Sequence, residues 1–179
     1  LTYLSLAPEA LREVLITGGL APVTGRPVDE VYAATWARTR AANQRYHARY
    51  PDDLDRLRTL LRRLDDEDVR LPNGDRLTSR RFRQTGMWLG DSTGFERLHH
   101  LLELPIASPA FLWDAQLASA WERNPIYATL HESCYADGGV TRWSAHRLAP
   151  EDAVTGELLG GEHVFPWMWS DCAGLHAHR

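Results

Sequence analysis

The pattern of apolar and polar positions changes character near Pro22. Before it, Leu1 to Leu11 is apolar with Thr2, Tyr3 and Ser5 interspersed and meets Pro8, which predicts the end of a helix followed by a turn. Val14-Leu15-Ile16-Thr17-Gly18-Gly19 is a short apolar run closed by two glycines, the pattern of a buried strand in a parallel sheet. After Pro22 the period becomes helical. Residues 28–49 carry Tyr32, Trp36 and Tyr46 at near-helical spacing among alanines and arginines. Residues 51–64 set Leu54, Leu57, Leu61 and Leu64 on one helix face. Asp52, Asp53 and Asp55 fall in the first turn and Arg62 and Arg63 near the end, as the helix dipole favours. Asn73-Gly74 predicts a tight turn joining Val69-Arg70-Leu71 to Arg76-Leu77 in a small hairpin. Ser108-Pro109 and Asn124-Pro125 each put a capping residue before a proline at the first helical position, so helices are expected to start there.

One strand and about six helices do not complete a doubly wound domain, but they suit a helical insertion attached to one. The chain begins with Leu1 rather than Met and is expected to be cut from something longer. Composition agrees with a folded chain: 44% of the 179 residues are hydrophobic and 25% charged. A net charge of −4 gives no reason to expect nucleic acid or an anionic membrane as partner. No apolar run approaches the roughly 20 residues of a membrane span, and no secretory leader is visible, so a cytoplasmic location is expected. Two cysteines, Cys134 and Cys172, are too few for a disulfide framework. All 20 basic residues are arginine.

Several stretches invite a chemical reading. Residues 52–83 contain nine arginines, but eight acids nearly balance them, and counterion release needs a one-signed face. A salt-bridged helix surface is the better account. Gly90-Asp91-Ser92-Thr93-Gly94 matches the G-x-S-x-G elbow of serine hydrolases, yet Arg80, Arg81, Arg83 and Gln84 upstream are poor strand material. Thr93-Gly94-Phe95-Glu96 reads instead as a capping box. The eight histidines lack metal-site spacing: His99-His100 diverge on a helix, and His131-Glu132 has no second His four residues on. No metal or cofactor is expected. Two acids stand in aromatic company. Glu132 lies in Leu130-His131-Glu132-Ser133-Cys134-Tyr135, and Glu162 in Gly161-Glu162-His163-Val164-Phe165-Pro166-Trp167-Met168-Trp169. Phe165, Trp167 and Trp169 can simply be helix-packing core. The functional alternative is an apolar pocket with a carboxylate at its rim, suited to a small ring bearing a cation.

Several ordered motifs carry a resemblance. They are Thr2-Tyr3-Leu4-Ser5-Leu6-Ala7-Pro8, Leu15-Ile16-Thr17-Gly18-Gly19-Leu20, Arg49-Tyr50-Pro51 and Leu71-Pro72-Asn73-Gly74. Arg81-Phe82-Arg83, Asn124-Pro125-Ile126-Tyr127-Ala128, Leu130-His131-Glu132, Thr141-Arg142-Trp143-Ser144-Ala145 and Gly161-Glu162-His163-Val164-Phe165-Pro166-Trp167 follow in the same order. Together they resemble the long actinobacterial type of proline iminopeptidase (prolyl aminopeptidase), a serine peptidase of the α/β-hydrolase fold. The resemblance implies that residues 1–25 are the end of the nucleophile helix and one core strand. Residues 26–179 would be the helical cap, incomplete at its C-terminal end. No triad member would then lie in the chain, and alone it would be inactive. It further implies a peptide with N-terminal proline as substrate, with Glu162 holding the charged imino group and Glu132 as a second candidate. Phe165 and Trp167 would wall the proline pocket. The rivals are the cap of another α/β-hydrolase, such as an esterase or epoxide hydrolase, and a stand-alone helical binding module.

Overall fold

Helices make up nearly all the regular structure of the computed structural model, which describes residues 2–16 and 25–176. The chain opens with α1 (Thr2–Leu6) and a 3-10 turn (Pro8–Ala10), as its apolar start and Pro8 predict. The predicted strand is not formed where it can be described. Val14, Leu15 and Ile16 run through exposed, irregular backbone, and Thr17, Gly18 and Gly19 lie outside the described residues. An apolar run becomes a strand only when neighbours take up its amides and carbonyls. Among the described residues the one β-bridge joins Arg70 to Arg76, elsewhere in the chain.

The long helix α2 (Val28–Arg49) is the spine. Its Tyr46 belongs to one apolar core and its Trp36 to a second. The first core gathers α3 (Asp53–Asp66), the hairpin, α4 (Ser79–Phe82), the 3-10 helix Arg83–Gly90, α5 (Gly94–Glu103) and α6 (Pro109–Ala118) around Leu57, Leu60, Leu64, Phe82 and Leu98. The hairpin forms as its Asn-Gly pair predicts: Leu77 N–H donates to the Val69 carbonyl and Gly74 sits at φ 89°. The second core packs Trp36 against Trp121, Ala128, Phe165, Met168 and Trp169. It draws on α7 (Pro125–His131), α10 (Met168–Asp171) and α11 (Ala173–His176), and the 3-10 turn Glu132–Tyr135 follows α7. Two single-turn helices, α8 (Ser144–Arg147) and α9 (Glu151–Val154), lie between. Among the described residues, no helix is long and apolar enough to cross a membrane.

The helix starts divide into one borne out in detail and two that differ. Ser108 Oγ accepts the Phe111 amide at 3.2 Å, as a cap should. The helix after Asn124 does start at Pro125, but the Asn124 side chain makes no capping bond. The capping box at Thr93 and Glu96 is not built. Thr93 makes no side-chain cap, and Glu96 turns to Arg49 instead, trading a local bond for an ion pair between α5 and α2. The elbow reading of Ser92 has no support: a 3-10 helix, not a strand, precedes it, and its exposed hydroxyl donates to Asp91.

One crossing decides where the acidic pocket residues go. The Asn43 side chain, buried on α2, accepts from Leu159 N–H at 2.9 Å and donates to the Leu159 carbonyl at 3.0 Å. It thus pairs an irregular segment as a neighbouring strand would. Gly160 N–H donates to the Arg83 carbonyl at 2.8 Å on the other side. Gly86 makes this close approach possible, since a Cβ there would stand 1.9 Å from the Gly160 carbonyl oxygen. Residues 158–161 are therefore clamped between α2 and the Arg83–Gly90 turn, and they deliver Glu162 and His163 to the face of α2.

Candidate functional site

Beyond that clamp, a cluster of polar and aromatic side chains forms around the N-terminal half of α2. His163 is buried and stacks on Trp36, with ring centroids 3.9 Å apart and planes 18° from parallel. The Thr35 hydroxyl donates to the Tyr32 carbonyl, so it accepts from His163 Nε2–H at 2.9 Å. That fixes the neutral tautomer and leaves Nδ1 as a buried acceptor with no partner among the described residues. Burial, with the nearby His131 adding to it, pushes this ring down to about 4. His131 Nε2–H donates to the Glu162 carbonyl at 2.8 Å, linking α7 to the 162–163 segment. Burial lowers His131 as well, against opposing contributions from the Glu162 carbonyl and from Glu132.

The two acids read from the sequence meet this cluster from different sides. Glu132 is buried, and its Oε1 accepts the Ala145 amide at 2.9 Å. The Ala145 carbonyl in turn accepts from Trp36 Nε1–H at 3.1 Å. Glu132 thus joins α8 to α2 and also lines a recess of about 600 Å³. Glu162 lines a second cleft of about 340 Å³, with Thr35, Arg38 and Arg45 of α2 and Met87 opposite. Although Glu162 is exposed by area, the cleft walls desolvate its carboxyl and raise its pKa. It makes no ion pair among the described residues. The Tyr32 hydroxyl is buried without a hydrogen-bond partner among the described residues. Burial raises its pKa, and Glu132 foremost and Glu162 more weakly add to that rise.

The predicted aromatic walls lie elsewhere. Phe165 is buried in the second core and stacks on Trp167 with centroids 5.7 Å apart. Trp167 also carries the Arg80 guanidinium 4.9 Å from its ring. The structure brings Phe165 and Trp167 to each other, and neither lines the recess of Glu132 or the cleft of Glu162. The aromatics that line a recess together with one of the two acids are Trp143 and Trp169, beside Glu132. The one signal for Trp143 in the sequence is its place in Thr141-Arg142-Trp143-Ser144-Ala145. Nothing in the sequence marks the Tyr32 hydroxyl as a buried group left without a partner among the described residues.

Carboxylates beside desolvating walls can hold a cation, and the neutral buried imidazoles can position one. Among the described residues, no group of three His, Cys, Asp or Glu side chains is placed to hold a metal ion. No protein-family model matches the chain. It is 42% identical to a proline iminopeptidase of Aeromonas sobria, over 94% of this chain and 42% of that protein. It is 29% identical to the proline iminopeptidase aneH of Aspergillus aculeatus, over 85% of this chain and 35% of that protein. The chain therefore spans well under half the length of these relatives. Over nearly all of its own length, it is a homologue of part of the proline iminopeptidases.

Proposed function

We propose that the chain is the substrate-selecting helical cap of a serine aminopeptidase that removes proline from peptide N-termini. Residues 26–179 form the cap on this reading. On this reading the nucleophilic Ser, with its His base and an acid, is supplied from outside the cap. The Ser attacks the carbonyl after the terminal proline while the His takes its proton. The cap's task is recognition. A secondary ammonium drawn from water must meet a fixed anion, and it gains about 1.5–3 kcal/mol from a charge-assisted hydrogen bond.

The observation that carries the reading is Glu162: a carboxylate desolvated by its cleft, without an ion-pair partner among the described residues, on a segment clamped by Asn43 and Arg83. Glu132 is the second anion within reach of the same cluster. In a full-length protein carrying this segment, Glu162→Gln should lower kcat/KM on a proline arylamide by about 10- to 150-fold. A neutral ester of the same size should be hardly affected, because it offers no cation to lose. An equal fall on both substrates would make Glu162 structural and favour a cap of the esterase kind.

A further inference from the structure

A basic cleft of about 370 Å³ opens between α3, the head of the Arg83–Gly90 helix and the turn after α9, and it shares no lining residue with the recess of Glu132 or the cleft of Glu162. Three arginines line it, Arg58 and Arg62 from α3 and Arg83 across from them. Arg83 is only 4% exposed, yet it makes no ion pair among the described residues. Its Nε–H donates to the Gly156 carbonyl at 2.8 Å, and Nη1 reaches Ser79 Oγ only at 3.4 Å. Nη2 has no hydrogen-bond partner among the described residues. A guanidinium taken out of water without a counter-charge is costly. Burial accordingly pulls this group below its ordinary value, with the charges of Asp65 and Glu157 opposing.

The two arginines of α3 are unequal. Arg58 is already engaged: its Nε–H donates to Glu157 at 2.7 Å and Nη1 to Asp55 at 3.2 Å. That ion pair ties down the one carboxylate lining the cleft. Arg62 is exposed and makes no ion pair among the described residues. Its two hydrogen bonds, to the Arg58 carbonyl and to Thr59 Oγ1, are both long at 3.4 Å. Thr155 gives its hydroxyl proton to the Glu151 carbonyl, so the side-chain donors left in the cleft are guanidinium N–H groups. The chain as a whole carries a net charge of −4, so its general field repels anions and any capture here is local.

We propose that this cleft is a binding site for a phosphate group, held between the buried Arg83 and the exposed Arg62. Two guanidiniums without ion pairs match the charge of inorganic phosphate or a phosphate monoester, about −1.5 to −2 near neutral pH. A carboxylate would neutralise only one of them. Planar guanidinium forks also meet phosphate oxygens two at a time, which a point charge does not. Glu157 opposes every anion that enters, and this favours a doubly charged ligand over a singly charged one. The site rests on no part of the peptidase reading above.

Calorimetric titration of this 179-residue chain with inorganic phosphate, glycerol phosphate and acetate tests the site. At about pH 8, where the phosphate group is fully charged, phosphate should bind at least about tenfold more tightly than acetate. Arg62→Ala alters an exposed side chain and should weaken phosphate by about 10- to 150-fold with native circular dichroism. Arg83→Lys keeps the charge but loses the fork, and should cost at least about tenfold. Glu157→Gln removes the opposing charge and should tighten binding. Arg70→Ala, at an exposed arginine of the hairpin, should change nothing. Glycerol phosphate binding as well as inorganic phosphate assigns the site to a small phosphorylated molecule, and binding of inorganic phosphate alone assigns it to the free ion. Equal binding of acetate and phosphate, or no detectable binding of either phosphate, would overturn the proposal. So would full affinity in Arg62→Ala, or an equal loss in Arg70→Ala, which would reduce the effect to general surface charge. If Arg83→Lys fails to fold, Arg62→Ala and Glu157→Gln still decide the matter, because both side chains lie outside the core.

Discussion

A single imidazole shows how burial becomes pH dependence. His163 has an ordinary value of 6.5 and a native one of about 4, because its ring is enclosed against Trp36 and the neighbouring His131 opposes a second positive charge. Between those values the unfolded chain carries a proton that the native chain refuses. Stability is therefore full above about pH 6.5 and drains as pH falls toward 4, by up to about 3 kcal/mol. His131, also lowered, acts in the same direction. His163→Phe preserves the stack on Trp36 and removes the titration, while losing the bond to Thr35. Urea denaturation at about pH 7 and about pH 4.5 should show a clearly smaller pH-dependent loss in this variant than in the parent. The same slope in both would assign the acid sensitivity in this window elsewhere, to groups such as His131; Asp75 acts only at lower pH. Burial alone would raise Asp75, but hydrogen bonds from Arg81 and the Ala173 amide hold it below its usual 3.8. Its contribution is thus present above that value and lost below it.

Elements are legible in the sequence where a single period decides them. The helix from Val28 to Arg49 and its buried Tyr32, Trp36 and Tyr46 follow directly from spacing. In α3, however, the buried face includes Leu60, 1% exposed, together with Leu57, Leu61 and Leu64, while Leu54 is only half-buried. The leucine stripe alone reaches one turn too far toward the N-terminus, because Asp53 occupies that place in the packing. Asp53 is fully buried: it takes the Tyr46 hydroxyl, Arg56 at 2.6 Å and His99 at 2.9 Å, a polar knot that no hydrophobic periodicity can signal. Leu60→Ala should accordingly cost about 2–5 kcal/mol, and Leu54→Ala about 1 kcal/mol or less. Thermal unfolding of the two variants checks the face, and a larger loss at Leu54 would restore the simpler stripe. Glu132 and Glu162 can be picked out because an acid amid aromatics is unusual. Which aromatics face them cannot, since Trp143 is placed by a left-handed turn and by Arg147, partners that only the fold assembles.

At the scale of the whole molecule, long-range polar ties knit the helical body together. Arg81, 1% exposed, binds Asp75 at 2.7 Å, the Asp171 carbonyl at 2.9 Å and Ser119 Oγ at 3.2 Å. It thereby ties the hairpin, α6 and α10 into one body. Leu6 is 78% exposed, Leu15 85% and Ile16 62%, and the 3-10 turn at Pro8–Ala10 buries nothing. Apolar side chains left in water like these favour self-association and add little to the folded state. Removing residues 1–22 should therefore leave the helical circular-dichroism signal and the midpoint of thermal unfolding nearly unchanged. Sedimentation velocity should show less association at the same concentration. If the shortened chain instead loses its cooperative transition, the opening segment belongs to the core of the helical body, and the boundary proposed near residue 25 falls with it.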